Sequence, residues 1–450
     1  MKKRNIALLL VILIFAFILR MPTFTLAHDN GDQLIYLGLA MKLDRFGLCE
    51  YNLQGVDLRR DDSNLRFVLS EDLQGSLLND LIKAGAVYYD EPLFHRPYVF
   101  SYTLMLSHRI FSGDEPYSVL QASARDQQGR LYVKEAPKLW FSQLYAALIP
   151  FLFSLLFIFG TYLLARRFFS EKTALISAFL ITISPIEILC AQRIWADTML
   201  SSFVLLSVFL FFLAKDKNSL LLSFLSGVSC GISVLIKQSG GFIFIALILS
   251  HLWQNRHGLT KADRLLRVIF DRQMLLFAMG VFAVCFHWFY IITKTYGNPL
   301  YNPARLCPEL KQQALWFKML SQRPRYLLLV STVYLVPVFV LGYFAVIVGA
   351  FMPKPLGYKR SFLIIWVLTF LGIFLFLGSR ENRYMLPVYP ALAILSAIYL
   401  ERIGAFIDAR FKKGYGAFFI LVILLACAIW SAPIGIKHAL RNLPLILEPF

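Results

Sequence analysis

Residues 1–33 read MKKRNIALLLVILIFAFILRMPTFTLAHDNGDQ, and they decide the class of fold. Lys2, Lys3 and Arg4 precede an apolar run from Ile6 to Leu19, and Arg20-Met21-Pro22 closes it. A run of this kind, bounded by cations, reads as a helix that crosses a bilayer. No small-x-small cleavage pattern follows, so the expectation is an uncleaved first helix rather than a signal peptide. The span ends by about Phe24, and His28-Asp29-Asn30-Gly31-Asp32-Gln33 opens a polar segment that continues to residue 137. That segment carries more than half of the 27 acidic residues. Carboxylates gathered on one loop beside a wall of apolar helices point to chemistry at a membrane surface.

Outward from this stretch the rest of the chain is mostly wall. The protein has 450 residues, 58% hydrophobic and only 16% charged, with a mean hydropathy of +0.63. A soluble domain carries about 25% charged residues. The apolar runs are near-continuous, whereas barrel strands alternate over about ten residues, so a β-barrel is excluded. The expectation is an all-α polytopic membrane protein of about eleven transmembrane helices. They fall at 5–24, 138–165, 173–189, 197–214, 219–236, 241–254, 274–293, 327–351, 361–378, 384–401 and 416–434. The chain is expected to be one domain over 1–450, with a first extracytoplasmic loop at 25–137 and a second at 294–326. Behind Asp32, the spacing of Leu34, Leu37, Ala40 and Met41 predicts a helix lying along the membrane surface within the first loop.

The net charge is +18. Its distribution reports topology rather than nucleic-acid binding. With the N-terminus in the cytoplasm, the short inside loops hold Arg166, Arg167 and Lys172, then Lys215 and Lys217, then a cluster ending at Arg272, then Lys354, Lys359 and Arg360, and finally Arg402, Arg410, Lys412 and Lys413. The outer face then collects the Asp29/Asp32 loop, His95-Arg96-Pro97, Arg193-Ile194-Trp195-Ala196-Asp197, Lys237-Gln238 and Arg380-Glu381-Asn382-Arg383. A transporter more often places its polar residues near mid-membrane in broken helices. Among the six cysteines, Cys190, Cys230, Cys285 and Cys427 lie in or beside apolar runs, while Cys49 and Cys307 share the outer face, where a disulfide between them is open. There is no CxxC, GxGxxG, Walker A, HExxH or GxSxG pattern of use.

Each outer-face residue has a plain and a chemical reading. Asp32 is a helix cap or a solvated acid, or else a general base, an acceptor-orienting group or a metal ligand, and Asp29 has the same roles. Arg193 and Asp197 stand four apart, at the spacing of a helical ion pair; the alternative has Arg193 on a phosphate with Asp197 holding it. Lys237 ends an apolar helix, either snorkelling or reaching a lipid phosphate. Arg380 and Arg383, with Glu381 between them, form a charged border or a pair that grips a phosphate or pyrophosphate. Arg96 lies in a proline-bounded turn, and His95 beside it is more often structural than catalytic.

Together these residues resemble the GT-C class of integral-membrane glycosyltransferases. They are most similar to the branch holding protein O-mannosyltransferases and the aminoarabinose transferases of lipid A (glycosyltransferase family 39). Asp32-Gln33-Leu34-Ile35-Tyr36, with Ala40 and Gly47, looks like that branch's acidic motif after the first span. His95-Arg96-Pro97-Tyr98 looks like its basic-Pro-Pro-Leu turn, and Ala165-Arg166-Arg167-Phe168-Phe169-Ser170 like its Arg-rich span end. Ser184-Pro185 with Asp197, Lys237 after Gly231, and Arg383-Tyr384-Met385-Leu386-Pro387-Val388-Tyr389-Pro390 continue the series in order. Two positions depart from the pattern. Gln33 stands where the branch has Glu, which leaves Asp29 as a substitute or a metal role lost. Pro97 stands alone where the branch has two prolines.

The resemblance implies a GT-C bundle with a large first extracytoplasmic loop carrying surface helices. It implies an inverting transfer of a hexosyl or pentosyl group from a polyprenyl-phosphate donor to a lipid, glycan or protein acceptor. The transfer would take place on the extracytoplasmic side of a bacterial inner membrane. Asp32 and Asp29 would be the catalytic carboxylates. Arg96, Lys237, Arg380 and Arg383 would receive the leaving phosphate, with Tyr36, His95, Arg193, Asp197, Glu381 and Tyr384 supporting. No cofactor is implied beyond a possible divalent metal. The rival expectations are a lipid-linked-sugar flippase and an inactive assembly subunit of the same fold.

Overall fold

A computed structural model describes residues 3–21, 97–112, 140–254, 271–297, 336–351, 357–377 and 381–440, with short pieces between 33 and 48 and five short strands between 55 and 132. The described helices are α1 (Lys3–Arg20), α2 (Val99–Ser112), α3 (Trp140–Phe168), α4 (Glu171–Thr182), α5 (Pro185–Ala191), α6 (Asp197–Lys217), α7 (Leu220–Ile236), α8 (Phe242–Gln254), α9 (Arg272–Tyr296), α10 (Phe339–Phe351), α11 (Tyr358–Leu377), α12 (Tyr389–Arg410) and α13 (Tyr415–Leu440). Two 3-10 turns, Gln238–Gly241 and Asn382–Val388, lead into α8 and α12.

Every expected span overlaps a described helix. Among the described residues six helices are long and apolar enough to cross a membrane, or seven if a bent pair is one span, so the number eleven is not established. The bent pair corrects the continuous helix expected over 173–189. α4 stops at Thr182, and α5 restarts at Pro185 with a bend of 63°. Pro185 lacks the N–H that would carry α4 onward, and it fits the first position of a new helix. The first loop also departs from a purely helical reading. It holds a three-stranded antiparallel sheet, β1 (Gly55–Leu58) between β2 (Arg66–Leu69) and β3 (Val87–Tyr89), and a two-stranded pair, β4 (Ala124–Arg125) with β5 (Leu131–Tyr132).

The bundle is held by small residues and serine hydroxyls as much as by apolar bulk. α7 lies directly on α9. A Cβ on Gly227 would sit 1.9 Å from the Phe277 carbonyl oxygen, and one on Gly280 would sit 2.3 Å from that of Phe224, so only glycine permits this approach. α6 and α7 exchange two hydrogen bonds. Ser207 Oγ donates to the Ser226 carbonyl at 3.0 Å, and Ser226 Oγ donates to the Ser207 carbonyl at 2.7 Å. In hydrocarbon such bonds are worth about 0.6–2 kcal/mol each. At its far end α1 delivers Arg20 into the bundle, where it is fully buried against fully buried Glu187 of α5, with Ser154 of α3 bonded to both.

The described helical pieces of the first loop pack on this bundle. Gln33, Tyr36, Leu37, Leu39, Ala40 and Leu43 are buried and helical, so the helix expected behind Asp32 enters the core rather than resting wholly on the surface. Tyr36 meets Phe100 of α2 edge to face at 4.8 Å. α2 buries Phe100, Leu104 and Met105 but leaves Ile110 and Phe111 exposed, the two-sided character of a helix at a membrane interface.

Candidate active site

The site grows from three chain breaks at one end of the bundle. The first is the turn between α5 and α6. Gln192 ends α5 and reaches back to donate from Nε2 to the Leu19 carbonyl at 3.1 Å, joining this turn to the end of α1. Asp197 then opens α6, where a carboxylate suits the positive end of the helix. The second break is the end of α7. Lys237 adopts an extended backbone, φ −159° and ψ 131°, and ends the helix. The chain then folds so tightly that a Cβ on Gly240 would meet the Ser233 backbone at 2.5 Å. The third is Asn382–Val388, where Pro387 holds the entry to α12 in a 3-10 turn.

These breaks bring together residues that lie as much as 190 positions apart in the sequence. Lys237 Nζ lies 2.7 Å from Asp197 Oδ1, and Arg383 Nη1 lies 4.0 Å from Asp197 Oδ2. The Asp197 side chain is 1% exposed, whereas that of Lys237 is 22% exposed. The carboxylate is therefore sealed in and the ammonium stands at the opening. Arg383 also pairs with exposed Glu381. Its guanidinium lies 4.2 Å from the Trp195 ring, and that of Arg193 lies 5.3 Å from the same ring. The Lys237 ammonium lies 4.2 Å from the Tyr384 ring, which stacks on Phe374 at 5.7 Å. Tyr36 is close enough to act on the Lys237 charge, which ties the first-loop helix to the cluster. Three cations thus face two carboxylates, one of them buried, in a partly desolvated setting that favours an anionic ligand.

The helical ion pair expected between Arg193 and Asp197 is not what forms. α6 begins only at Asp197, so Arg193 lies in the preceding turn, and Asp197 turns instead to Lys237 and Arg383. Gln33 also gains a role. It is 1% exposed, and its Oε1 accepts the Ile194 N–H at 3.0 Å. A neutral amide meets that donor without burying a charge, which accounts physically for Gln at this position. Trp195 was legible only as a neighbour of Arg193 and Asp197, yet its ring is the surface both arginines lie on. The buried Arg20–Glu187 pair gave no local signal at all.

Pro97 and Tyr98 are the described part of the His95-Arg96-Pro97-Tyr98 turn. The Tyr98 hydroxyl lies 2.6 Å from His287 Nε2 of α9. Burial pushes its pKa above the ordinary tyrosine value, so it stays protonated and able to donate. Asp29, Asp32, His95, Arg96 and Arg380 lie outside the described residues, as do Cys49 and Cys307. Among the described residues no three His, Cys, Asp or Glu side chains converge as a metal site. Asp197 has both its oxygens directed at cations, so the described part of the cluster does not fit a divalent ion.

Comparison with known proteins agrees with this architecture. Residues 139–288, which run from α3 into α9 and include Asp197 and Lys237, match the family model of dolichyl-phosphate-mannose-protein mannosyltransferases. The oligosaccharyltransferase AglB from Archaeoglobus fulgidus, in complex with an inhibitory peptide and a dolichol-phosphate, superposes with a TM-score of 0.58 at 16% identity, over 97% of this chain and 56% of AglB. ArnT from Cupriavidus metallidurans superposes in its apo state with a TM-score of 0.56 at 14% identity, over 98% of this chain and 76% of ArnT. Bound to undecaprenyl phosphate, ArnT gives a TM-score of 0.54 at 15% identity, over 98% of this chain and 73% of ArnT. An uncharacterized protein of Aquifex aeolicus is 26% identical over 244 residues, which are 54% of this chain and 46% of that protein. The chain thus spans about half the length of the curated relative it matches. This integral-membrane protein shares the polytopic membrane fold of AglB and ArnT, and its residues 139–288 are similar to the mannosyltransferase family.

Proposed function

We propose that the protein transfers a sugar from a polyprenyl-phosphate donor to an acceptor at the membrane face formed by the Asp197, Lys237 and Arg383 cluster. The observation that carries this reading is the convergence of Lys237 and Arg383 on buried Asp197. In the reaction an acceptor nucleophile attacks the anomeric carbon, the bond to the phosphate oxygen breaks, and the configuration inverts. The acceptor's proton passes to a carboxylate, for which Asp32 is the candidate with Asp29 beside it. The lipid phosphate departs with added negative charge, and fixed cations stabilise that charge as it develops. Lys237 and Arg383 are placed for this, and Arg96 and Arg380 are expected to join them. Asp197 holds Lys237 in aim, and the Trp195 face holds Arg383.

The lipid-phosphate ligands of AglB and ArnT support this donor class, and the acceptor peptide tethered to AglB in a further structure supports an acceptor in general. The face is read as extracytoplasmic and the membrane as a bacterial inner membrane, because the opposite helix ends carry the basic loops. The test is a transfer assay on purified protein with a panel of polyprenyl-phosphate sugars, scoring hydrolysis as well as transfer. Donor turnover that is lost in Lys237→Met supports the reading. Translocation of a lipid-linked sugar in liposomes without transfer would replace it with a flippase.

A further inference from the structure

The opposite end of the bundle holds a polar cavity. Lys215 lies eighteen residues beyond Asp197 on α6, which at 1.5 Å per residue places it about 27 Å away, close to a hydrocarbon thickness. Around it opens a cavity of about 620 Å³ lined by Lys215, Asn218, Leu220, His251, Asp271, Arg272 and Gln273. The lining holds two cations, Lys215 and Arg272, against one carboxylate, Asp271, which acts electrostatically on Lys215. Lys215 Nζ donates to His251 Nδ1 at 3.0 Å and to Gln254 Oε1 at 3.4 Å, and lies 5.0 Å from the Tyr358 ring, all of them neutral partners. The one carboxylate in the lining is already engaged. Asp271 Oδ1 accepts the Met274 N–H at 2.9 Å, and its Oδ2 lies 3.7 Å from His251 Nε2. Arg272 is exposed and makes no ion pair among the described residues. Gln273 donates to Asn218 Oδ1 at 3.1 Å, which fixes two further amides at the wall. The rim, by contrast, is greasy: Leu220, Leu221, Trp253 and Leu275 are all exposed.

We propose that this cavity binds a phosphate-bearing anion, and that the ligand is the head group of an anionic membrane phospholipid. Lys215 and Arg272, two cations against the single carboxylate of Asp271, supply the phosphate contacts. The exposed leucines and the tryptophan beside them suit acyl chains, which free phosphate lacks. The site is independent of the transfer chemistry at the other face.

The test is native mass spectrometry of the full chain in detergent, titrated separately with phosphatidylglycerol, phosphatidylcholine and inorganic phosphate. Wild type is expected to retain phosphatidylglycerol at least about tenfold better than phosphatidylcholine, since each basic residue contributes about 1 kcal/mol toward anionic lipid. Lys215→Gln combined with Arg272→Gln is expected to remove that preference. Arg272→Gln alone, at an exposed position that the fold tolerates, is expected to lose part of it, while Lys413→Gln on the same face is not. Saturation by inorganic phosphate, with the same dependence on Lys215 and Arg272, would support the phosphate site and reassign its source to a soluble ligand. Equal retention of the two lipids, or full retention by the Arg272→Gln and double variants, would overturn the proposal.

Discussion

Lys237 Nζ and Asp197 Oδ1 meet at 2.7 Å across the boundary between α7 and α6, with the carboxylate buried and the ammonium partly open. In the proposed reaction the sealed carboxylate holds the partly open cation toward the donor phosphate. Lys237→Met is therefore expected to lower donor kcat/KM by about 10²–10³-fold, the range for losing one preorganised charge-stabilising group. Asp197→Asn is expected to cost less. The double variant should be no worse than Lys237→Met alone, because the two residues act as a unit. Steady-state kinetics on the four proteins would check this, and additive losses would separate the two roles.

Asp32→Asn is expected to abolish donor turnover and leave the thermal unfolding temperature unchanged. A carboxamide keeps the shape of the side chain but cannot take up the acceptor's proton. Full activity in this variant would remove Asp32 as the base and turn attention to Asp29.

Trp195→Leu is expected to raise the donor KM several-fold, because the arginines lose the aromatic face they lie on, a contact worth about 0.5–2 kcal/mol. Trp195→Phe keeps a π face and is expected to recover most of the affinity. Donor titrations of the two variants side by side would distinguish loss of the face from loss of bulk.

Gln33→Leu leaves the buried Ile194 N–H without its acceptor, a loss of about 1–3 kcal/mol. The expected effects are faster proteolysis within the first loop and reduced activity. Gln33→Glu keeps an acceptor oxygen and is expected to retain more activity than Gln33→Leu. Limited proteolysis and transfer assays on the same preparations would show whether the two effects move together.

Glu187→Leu leaves fully buried Arg20 without its counter-charge, and such a loss costs about 3–5 kcal/mol. A marked fall in unfolding temperature in detergent is expected. Replacing both residues, Arg20→Met with Glu187→Leu, should recover much of it, since removing the whole pair also removes the burial of charge. A double variant as unstable as the single would assign the pair a role in register rather than in charge compensation.

Hydropathy and charge along the chain were enough to place the helices, the basic helix ends and the shared face of Lys237, Asp197 and Arg383. Each of those signals is local: apolar runs report insertion, and cations between them report sidedness. Of the two local readings of Arg193 and Asp197, the helical ion pair does not form, because it needs both residues on one helix and α6 begins only at Asp197. The local reading also treated Gln33 as a missing acid, where the tertiary structure makes it an acceptor for the Ile194 N–H. The Arg20–Glu187 pair exists because α1, α3 and α5 meet, the arginines on Trp195 because the α5–α6 turn meets the Asn382–Val388 turn, and the cavity at Lys215 because the ends of α6, α8 and α9 meet. Sequence periodicity states which face of a helix is apolar. It does not state which other helix that face will meet, and here that pairing set which charges are neutralised and which remain open to a ligand.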